Sequence, residues 1–406
     1  MRVVRNLDSL EKILQKKRLR KNKIHDKVSK IIKNVSENGD NALVEYTKKF
    51  DKVKISLKEL RISETEISAA FNELDSSIIS AFKIAIDNVT KFYRQQIPKA
   101  TRIKEANGKT LAIRYVPLER VGVYVPAGTA PLVSSVYMAV IPILVAGVKE
   151  VVLASPPCGN KDINPFILAI ASLLKIKEIY RVGGSQAIAA LAYGTKTIKR
   201  VDKIVGPGNE FVTEAKRQLF GEVDIDMLAG PSEIVILASK DANLDYIISD
   251  LESQIEHHNG SGILVTTSRK IIRELREKKV TGLVLRVRNL DEGCRVVNRI
   301  APEHLEILTK EPAALLSKIR NAGAIFLGEN TPVALGDYTA GPSHVLPTGG
   351  SARFFSCLSV KDFLKEVHVI SYTKRALQEE AQVLEKIASL EGMTKHIESV
   401  KKRLAG

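Results

Sequence analysis

Hydrophobic positions recur at two different spacings, and the change between them divides the chain. Over residues 1–100 they keep helical intervals. Val28, Ile31, Ile32 and Val35 share one face, as do Ile78, Ile79, Phe82, Ile86 and Val89 further on. From about Arg114 the pattern becomes short Val- and Ile-rich runs closed by Gly and Pro. Strands are predicted at 121–125, 151–154, 178–182 and 203–205. They end at Pro126-Ala127-Gly128, Ser155-Pro156-Pro157, Gly183-Gly184 and Gly206-Pro207-Gly208. Helices are predicted between them at 136–146, 166–174 and 188–193. This alternation is that of a parallel sheet covered by helices. A second stretch repeats it, with strands at 233–237, 262–265, 281–287 and 323–326 and a helix at 246–257. From about Leu364 the pattern is again helical, with Leu377, Ala381, Leu384, Ile387 and Leu390 in step.

The expected fold class is therefore α/β: two Rossmann-like parallel domains with helical N- and C-terminal segments. The patterns set boundaries at 1–115, 116–232, 233–360 and 361–406.

Composition narrows the function. Hydrophobic residues make up 44% of the 406, enough for a substantial core. No apolar run reaches the roughly 20 residues a membrane span needs, and the basic N-terminus lacks the apolar segment of a secretory signal. Cys158, Cys294 and Cys357 are widely spaced and form no CxxC, which suits a reducing compartment, and the cytoplasm is expected. The net charge of +16 raises the question of nucleic acid. Residues 1–60 carry +9, whereas residues 120–256, richest in motifs, sum to −2. The excess reads as a basic surface, and no aromatic residues interleave with it as nucleic-acid binding would want.

The carboxyl ends of parallel strands, with helix N-termini beside them, suit a nucleotide pyrophosphate. No GxGxxG is present, so plain turns explain those glycines equally well. The chain has seven His. Gln254 and His257 are three apart, and on a helix they share a face that holds one ion. Glu303-His304, following Pro302, reads as a base and water-activating pair or as an acidic helix start. Asp337 and His396 offer further donors, at no diagnostic spacing. Glu391 and His396 are five apart, about 140° round a regular helix, and do not share its face. Metal-assisted hydrolysis accounts for these residues as well as other metal chemistry does. No cysteine sits in a nucleophile motif.

Six strings together resemble the histidinol dehydrogenase family. They are VGVYVPAGTAPL at 121–132, VGGSQAIAALAYGT at 182–195, DKIVGPGN at 202–209, IDMLAGPSE at 225–233, APEHLE at 301–306 and LGDYTAGPSHVLPT at 335–348. The resemblance runs from about Arg120 to Arg403. It implies Zn2+ held by Gln254, His257, Asp337 and His396, and an acid/base pair of Glu303 and His304. It implies that Ser232 and Glu391, with His304 and the metal ligands, face L-histidinol. Tyr124, Gln186 and Asn209 are the implied NAD+ contacts. The implied reaction is a four-electron oxidation of L-histidinol to L-histidine via L-histidinal, with no need of a cysteine. The resemblance further implies an aldehyde-dehydrogenase-like arrangement. There residues 1–115 pack with 233–360, residues 116–232 contact NAD, and residues 361–406 exchange between the subunits of a homodimer that shares its active sites. Membrane and nucleic-acid partners are not expected. Three features depart from the family. Ala127 stands where Gly is usual, His257-His258-Asn259 replaces a His-Asp-Pro type string, and the stretch between Thr266 and Val296 is short. His344 is read as structural.

Overall fold

A computed structural model describes residues 1–18, 24–127, 132–158, 162–257 and 259–405. His258 and residues 128–131 of the first string lie outside them. The described chain begins with β1 (Arg2–Val4), α1 (Leu7–Arg18), α2 (His25–Asn38), α3 (Asp40–Tyr46), α4 (Glu64–Asn72) and α5 (Ser76–Arg94). Two strands follow, β2 (Thr101–Lys104) and β3 (Thr110–Pro117). The first α/β run is β4 (Arg120–Tyr124), α6 (Ser134–Ala146), β5 (Glu150–Ser155), α7 (Pro165–Leu173), β6 (Glu178–Arg181), α8 (Gly184–Tyr193), β7 (Lys203–Val205), α9 (Glu210–Leu219) and β8 (Asp224–Ile225). The second run is β9 (Glu233–Ala238), α10 (Leu244–Glu256), β10 (Ser261–Thr266), α11 (Arg269–Glu277), β11 (Leu283–Arg286), α12 (Leu290–Ile300), β12 (His304–Leu308), β13 (Ala324–Leu327) and α13 (Val333–Tyr338). The chain ends with β14 (Leu364–Ser371), α14 (Lys374–Leu390) and α15 (Thr394–Ala405).

Two compact units result: Met1–Gln96 with Leu118–Phe363, and Ile97–Pro117 with Leu364–Gly406. The larger holds two parallel sheets, ordered β6-β5-β4-β7-β8 and β1-β11-β10-β9-β12-β13. The inner strands β4, β5, β9 and β12 are buried almost throughout, as parallel strands covered on both faces must be. In both sheets the strand order reverses beside a central pair, β4 and β7 in one, β9 and β12 in the other. The short stretch after Thr266 still completes a β-α-β crossover through α11 to β11.

The structure departs from the expectation for residues 1–115. β1 does extend the six-stranded sheet beside β11, and Leu10 of α1 joins its core. Val28, Ile31, Ile32 and Val35 of α2, however, pack with Tyr124, Ala187, Ile188 and Val212 under the five-stranded sheet. The spacing rightly marks a buried face without saying which sheet covers it. In α5 the fully buried residues are Ala85, Val89 and Tyr93, so its inward stripe starts later than the apolar residues do.

The smaller unit also corrects the expectation. Residues 364–371 form a strand, β14, paired antiparallel along its whole length with β3, which pairs in turn with β2. The helices α14 and α15 follow. Val367, Val369, Ile370, Val383, Ile387 and Leu390 of this unit are exposed, Leu390 by 89%.

Candidate active site

The amino ends of β9 and β12 bring the first group of candidates together. These strands run side by side with His304 opposite Ile234, so Ser232, Glu233, Glu303 and His304 lie at one edge of the sheet. The expectation placed sites beyond the carboxyl ends of strands, and this cluster sits at the opposite ends. His304 opens a strand instead of standing in a turn or a helix start. Ala301, in the left-handed conformation at φ 53°, reverses the chain out of α12 just before it.

Glu303 and His304 are 6% and 3% exposed. Glu303 Oε2 accepts from Ser232 Oγ at 2.7 Å and from the Glu233 backbone N–H at 2.8 Å. Burial outweighs these two hydrogen bonds, and with Glu233 and Asp337 nearby the carboxyl is pushed up to about 8. His304 moves the other way. Burial lowers it to about 4, with the charge of His257 and His344 adding to the effect. Its Nδ1 lies 3.3 Å from the carbonyl oxygen of Glu233, which can only accept. The proton of the neutral ring therefore sits on Nδ1, and the free base is Nε2, 3.7 Å from Asp337 Oδ1. Two neighbours with oppositely displaced proton affinities are the arrangement that assigns acid and base roles.

Gln254 and Asp337 converge on the same edge. Gln254 is in the last turn of α10, antiparallel to the strands, and is 2% exposed. Its Nε2 has no hydrogen-bond partner among the described residues, a costly state for a buried amide. Amide N and O are told apart only by their partners, so the same group can present oxygen to a cation. His257 is not helical: α10 ends before it, and it has extended backbone. Its φ of −64° is still helical, so its side chain leaves the end of α10 as the next helical residue's would, and its charge reaches both His304 and His344. The chain then turns so sharply that a Cβ on Gly260 would meet Gln254 O at 2.0 Å. Asp337 is pushed up to about 6 by burial. It comes close because Gly336 lies on the Phe326 ring, where a Cβ would sit 2.6 Å from it, and Phe326 lies beside the His304 ring.

One amide, one imidazole and one carboxylate suit a borderline cation such as Zn2+. Among the described residues no three His, Cys, Asp or Glu gather closely enough to complete a metal site without the amide. Glu391 and His396 belong to the smaller unit, and both are exposed. α14 stops at Leu390, Gly392 takes φ 69°, and α15 begins at Thr394. Because the helix is interrupted, the 140° separation of a regular helix does not apply to them.

The nucleotide candidates lie at the carboxyl ends of the other sheet. Tyr124 closes β4, and its hydroxyl accepts from Gly184 N–H at 3.0 Å. Gln186 is buried in the first turn of α8. Asn209 caps α9, its Oδ1 accepting from Phe211 and Val212 N–H, so only its amide NH2 is left for a ligand. These positions follow β4, β6 and β7, and β4 and β7 flank the reversal of strand order, where open α/β sheets bind ligands. The two groups are linked through α6. Tyr137 hydroxyl donates to Tyr338 O at 2.9 Å, and Ser134 Oγ lies 3.1 Å from His344 Nε2. Ala127 is not among the residues with positive φ, so alanine is unstrained there.

Sequence reasoning missed a buried carboxyl pair. Glu306 lies two residues after His304 on β12, and Asp250 one turn before Gln254 on α10. Burial pushes both up, and the charge and hydrogen bond of Asp250 raise Glu306 further, so the pair retains a proton. An acidic residue inside the apolar run 304–308 was the available signal.

A family model described as histidinol dehydrogenase matches residues 14–404. A histidinol dehydrogenase from Clostridium acetobutylicum is 44% identical, covering 97% of this chain and 96% of its own. A crystal structure of histidinol dehydrogenase from Elizabethkingia anophelis superposes with a TM-score of 0.89 at 35% identity, over 94% of this chain and 92% of that one. An acetylating aldehyde dehydrogenase from Geobacillus thermoglucosidasius reaches a TM-score of 0.50 at 11% identity, over 90% of this chain and 97% of that one, a likeness of fold alone.

Proposed function

The chain belongs to the histidinol dehydrogenase family, and from that premise we propose that it oxidises L-histidinol to L-histidine through L-histidinal, using two NAD+. The proposed form is a zinc-dependent cytoplasmic homodimer. The observation that carries this reading is the Glu303–His304 pair, buried together with proton affinities displaced in opposite directions. Gln254, His257, Asp337 and His396 would hold the ion, the orphaned amide of Gln254 being the strongest support. Zinc, when bound, supplies an anchor and a positive charge for the imidazole and amine of the substrate. NAD+, when bound near Tyr124, Gln186 and Asn209, supplies the two-electron acceptor for each oxidation.

The protein's own groups move the protons. His304 Nε2, neutral at pH 7, takes the hydroxyl proton as the alcohol becomes the aldehyde, and the Glu233 carbonyl holds its ring in register. Glu303 takes a proton from the water that adds to the aldehyde, giving the hydrate from which the second oxidation leads to the acid. Ser232 keeps the Glu303 carboxylate oriented while facing the substrate. Glu391 and His396, both exposed on the smaller unit, are assigned to the site of the other subunit. The exposed apolar residues of that unit support an association of this kind.

Glu303→Gln separates the two stages. It is expected to slow oxidation of L-histidinal by roughly 100-fold or more while slowing the alcohol step far less. Equal slowing of both steps in single turnover refutes the water-activating role.

A further inference from the structure

A second polar cluster lies at the carboxyl ends of β4 and β5, and none of the roles above uses it. After α3 the chain makes a π-helical turn, Thr47–Asp51, a rare geometry that often marks functional sites. Thr47 Oγ1 and Asp51 Oδ2 of this turn are buried with no hydrogen-bond partner among the described residues. Ser155, the last residue of β5, is fully buried, and its Oγ is likewise unpartnered. Ser155 follows Ala154, which pairs with Tyr124 and accepts from Val125 N–H. Burial raises the Tyr124 hydroxyl and the Cys158 thiol, the negative charge of Asp51 adding to it, and Cys158 Sγ contacts Ala127 O in the loop after β4. Tyr46 and Val53, on either side of the turn, lie in one buried cluster with Tyr124 and Ala154, so the turn that carries Asp51 packs at the ends of β4 and β5. An unpartnered, largely buried carboxylate is costly and persists where a ligand completes it.

We propose that Asp51 is the acceptor for the adenosine ribose hydroxyls of the dinucleotide and sets its preference for NAD+ over NADP+. This rests on the reading of the chain as an NAD+-dependent dehydrogenase. The chemistry fits at both levels. A carboxylate accepts from a ribose diol, and it repels the added charge of a 2′-phosphate. Thr47 supplies a hydroxyl in the same turn and Ser155 one at the end of β5, while Tyr124 is held by Gly184.

The test uses the whole chain and Asp51→Asn, read by calorimetric binding of ADP-ribose and of its 2′-phosphorylated form. Wild type is expected to favour ADP-ribose at least 10-fold. D51N is expected to weaken ADP-ribose at least 10-fold and to narrow or invert the ratio. Its thermal midpoint is expected to stay level or rise, because an unpaired buried charge has gone. A ratio unchanged in D51N overturns the proposal. So does a fall in thermal midpoint with equal loss of both ligands, since that marks a structural role. NADH formation by wild type with L-histidinol is run alongside. Its absence indicts the dehydrogenase reading, whereas its presence with an unmoved ratio indicts Asp51 alone.

Discussion

Ser232→Ala tests how the site sets the proton affinity of Glu303. In the wild type, Ser232 Oγ donates to Glu303 Oε2 at 2.7 Å, and the Glu233 N–H donates to the same oxygen at 2.8 Å. Both favour the ionised carboxylate, against burial that pushes it up to about 8. A hydrogen bond to a charged, buried group contributes about 1.5–3 kcal/mol. At about 1.4 kcal/mol per pH unit, its loss moves the acid limb of the profile upward by about one to two pH units. The sign follows from the donor: without it the carboxylate is less stable, so Glu303 keeps its proton to higher pH. The assay is the rate of L-histidinal oxidation at saturating NAD+, from about pH 6 to 10, for wild type, S232A and Ser232→Thr. S232A is expected to shift the limb, and S232T, which keeps a hydroxyl, to restore it. An S232A profile that keeps the wild-type midpoint while falling uniformly would show that Ser232 acts on substrate alone.

His396→Asn is expected to lower zinc content and activity together; full zinc occupancy by metal analysis removes His396 from the ligand set. Mixing H396N with E303Q, read by oxidation of L-histidinal, which each variant alone carries out poorly, is expected to recover about a quarter of wild-type activity if subunits exchange at random and share sites. No recovery from confirmed mixed dimers places His396 in its own subunit's site. Glu306 has a folded proton affinity raised above its unfolded one, so its contribution turns unfavourable as pH climbs above the usual carboxylate range. Glu306→Gln is therefore expected to flatten the decline of thermal midpoint toward alkaline pH, and an unaltered slope contradicts a proton-sharing pair with Asp250.

The interior elements were legible because burial on both faces leaves continuous apolar runs. β4, β5, β6, β7 and β9 fall within a residue or two of the expected strands. Elements defined by their neighbours were not. β1 is three residues whose pairing with β11 spans almost the whole larger unit, and β14 leaves most of its residues exposed, so neither shows a buried pattern. The packing of α2 on α8 instead of on the six-stranded sheet depends on complementary surfaces that periodicity does not encode. The site divides in the same way. Glu303, His304, Gln254 and Asp337 stood out by residue type, and the fold gathers them at one sheet edge. Glu306, Asp250 and Asp51 gain meaning only from what surrounds them. His257 stood out by its spacing from Gln254, and it caps α10 where the helix ends.

The most direct measurement of the central claim is NADH formation from L-histidinol and NAD+, before and after chelation and again after zinc is restored. Near two NADH per histidinol, lost with the metal and regained with it, is the required outcome. A folded, zinc-loaded protein that forms no NADH contradicts the dehydrogenase reading and leaves the Gln254, His257 and Asp337 group to metal-assisted hydrolysis.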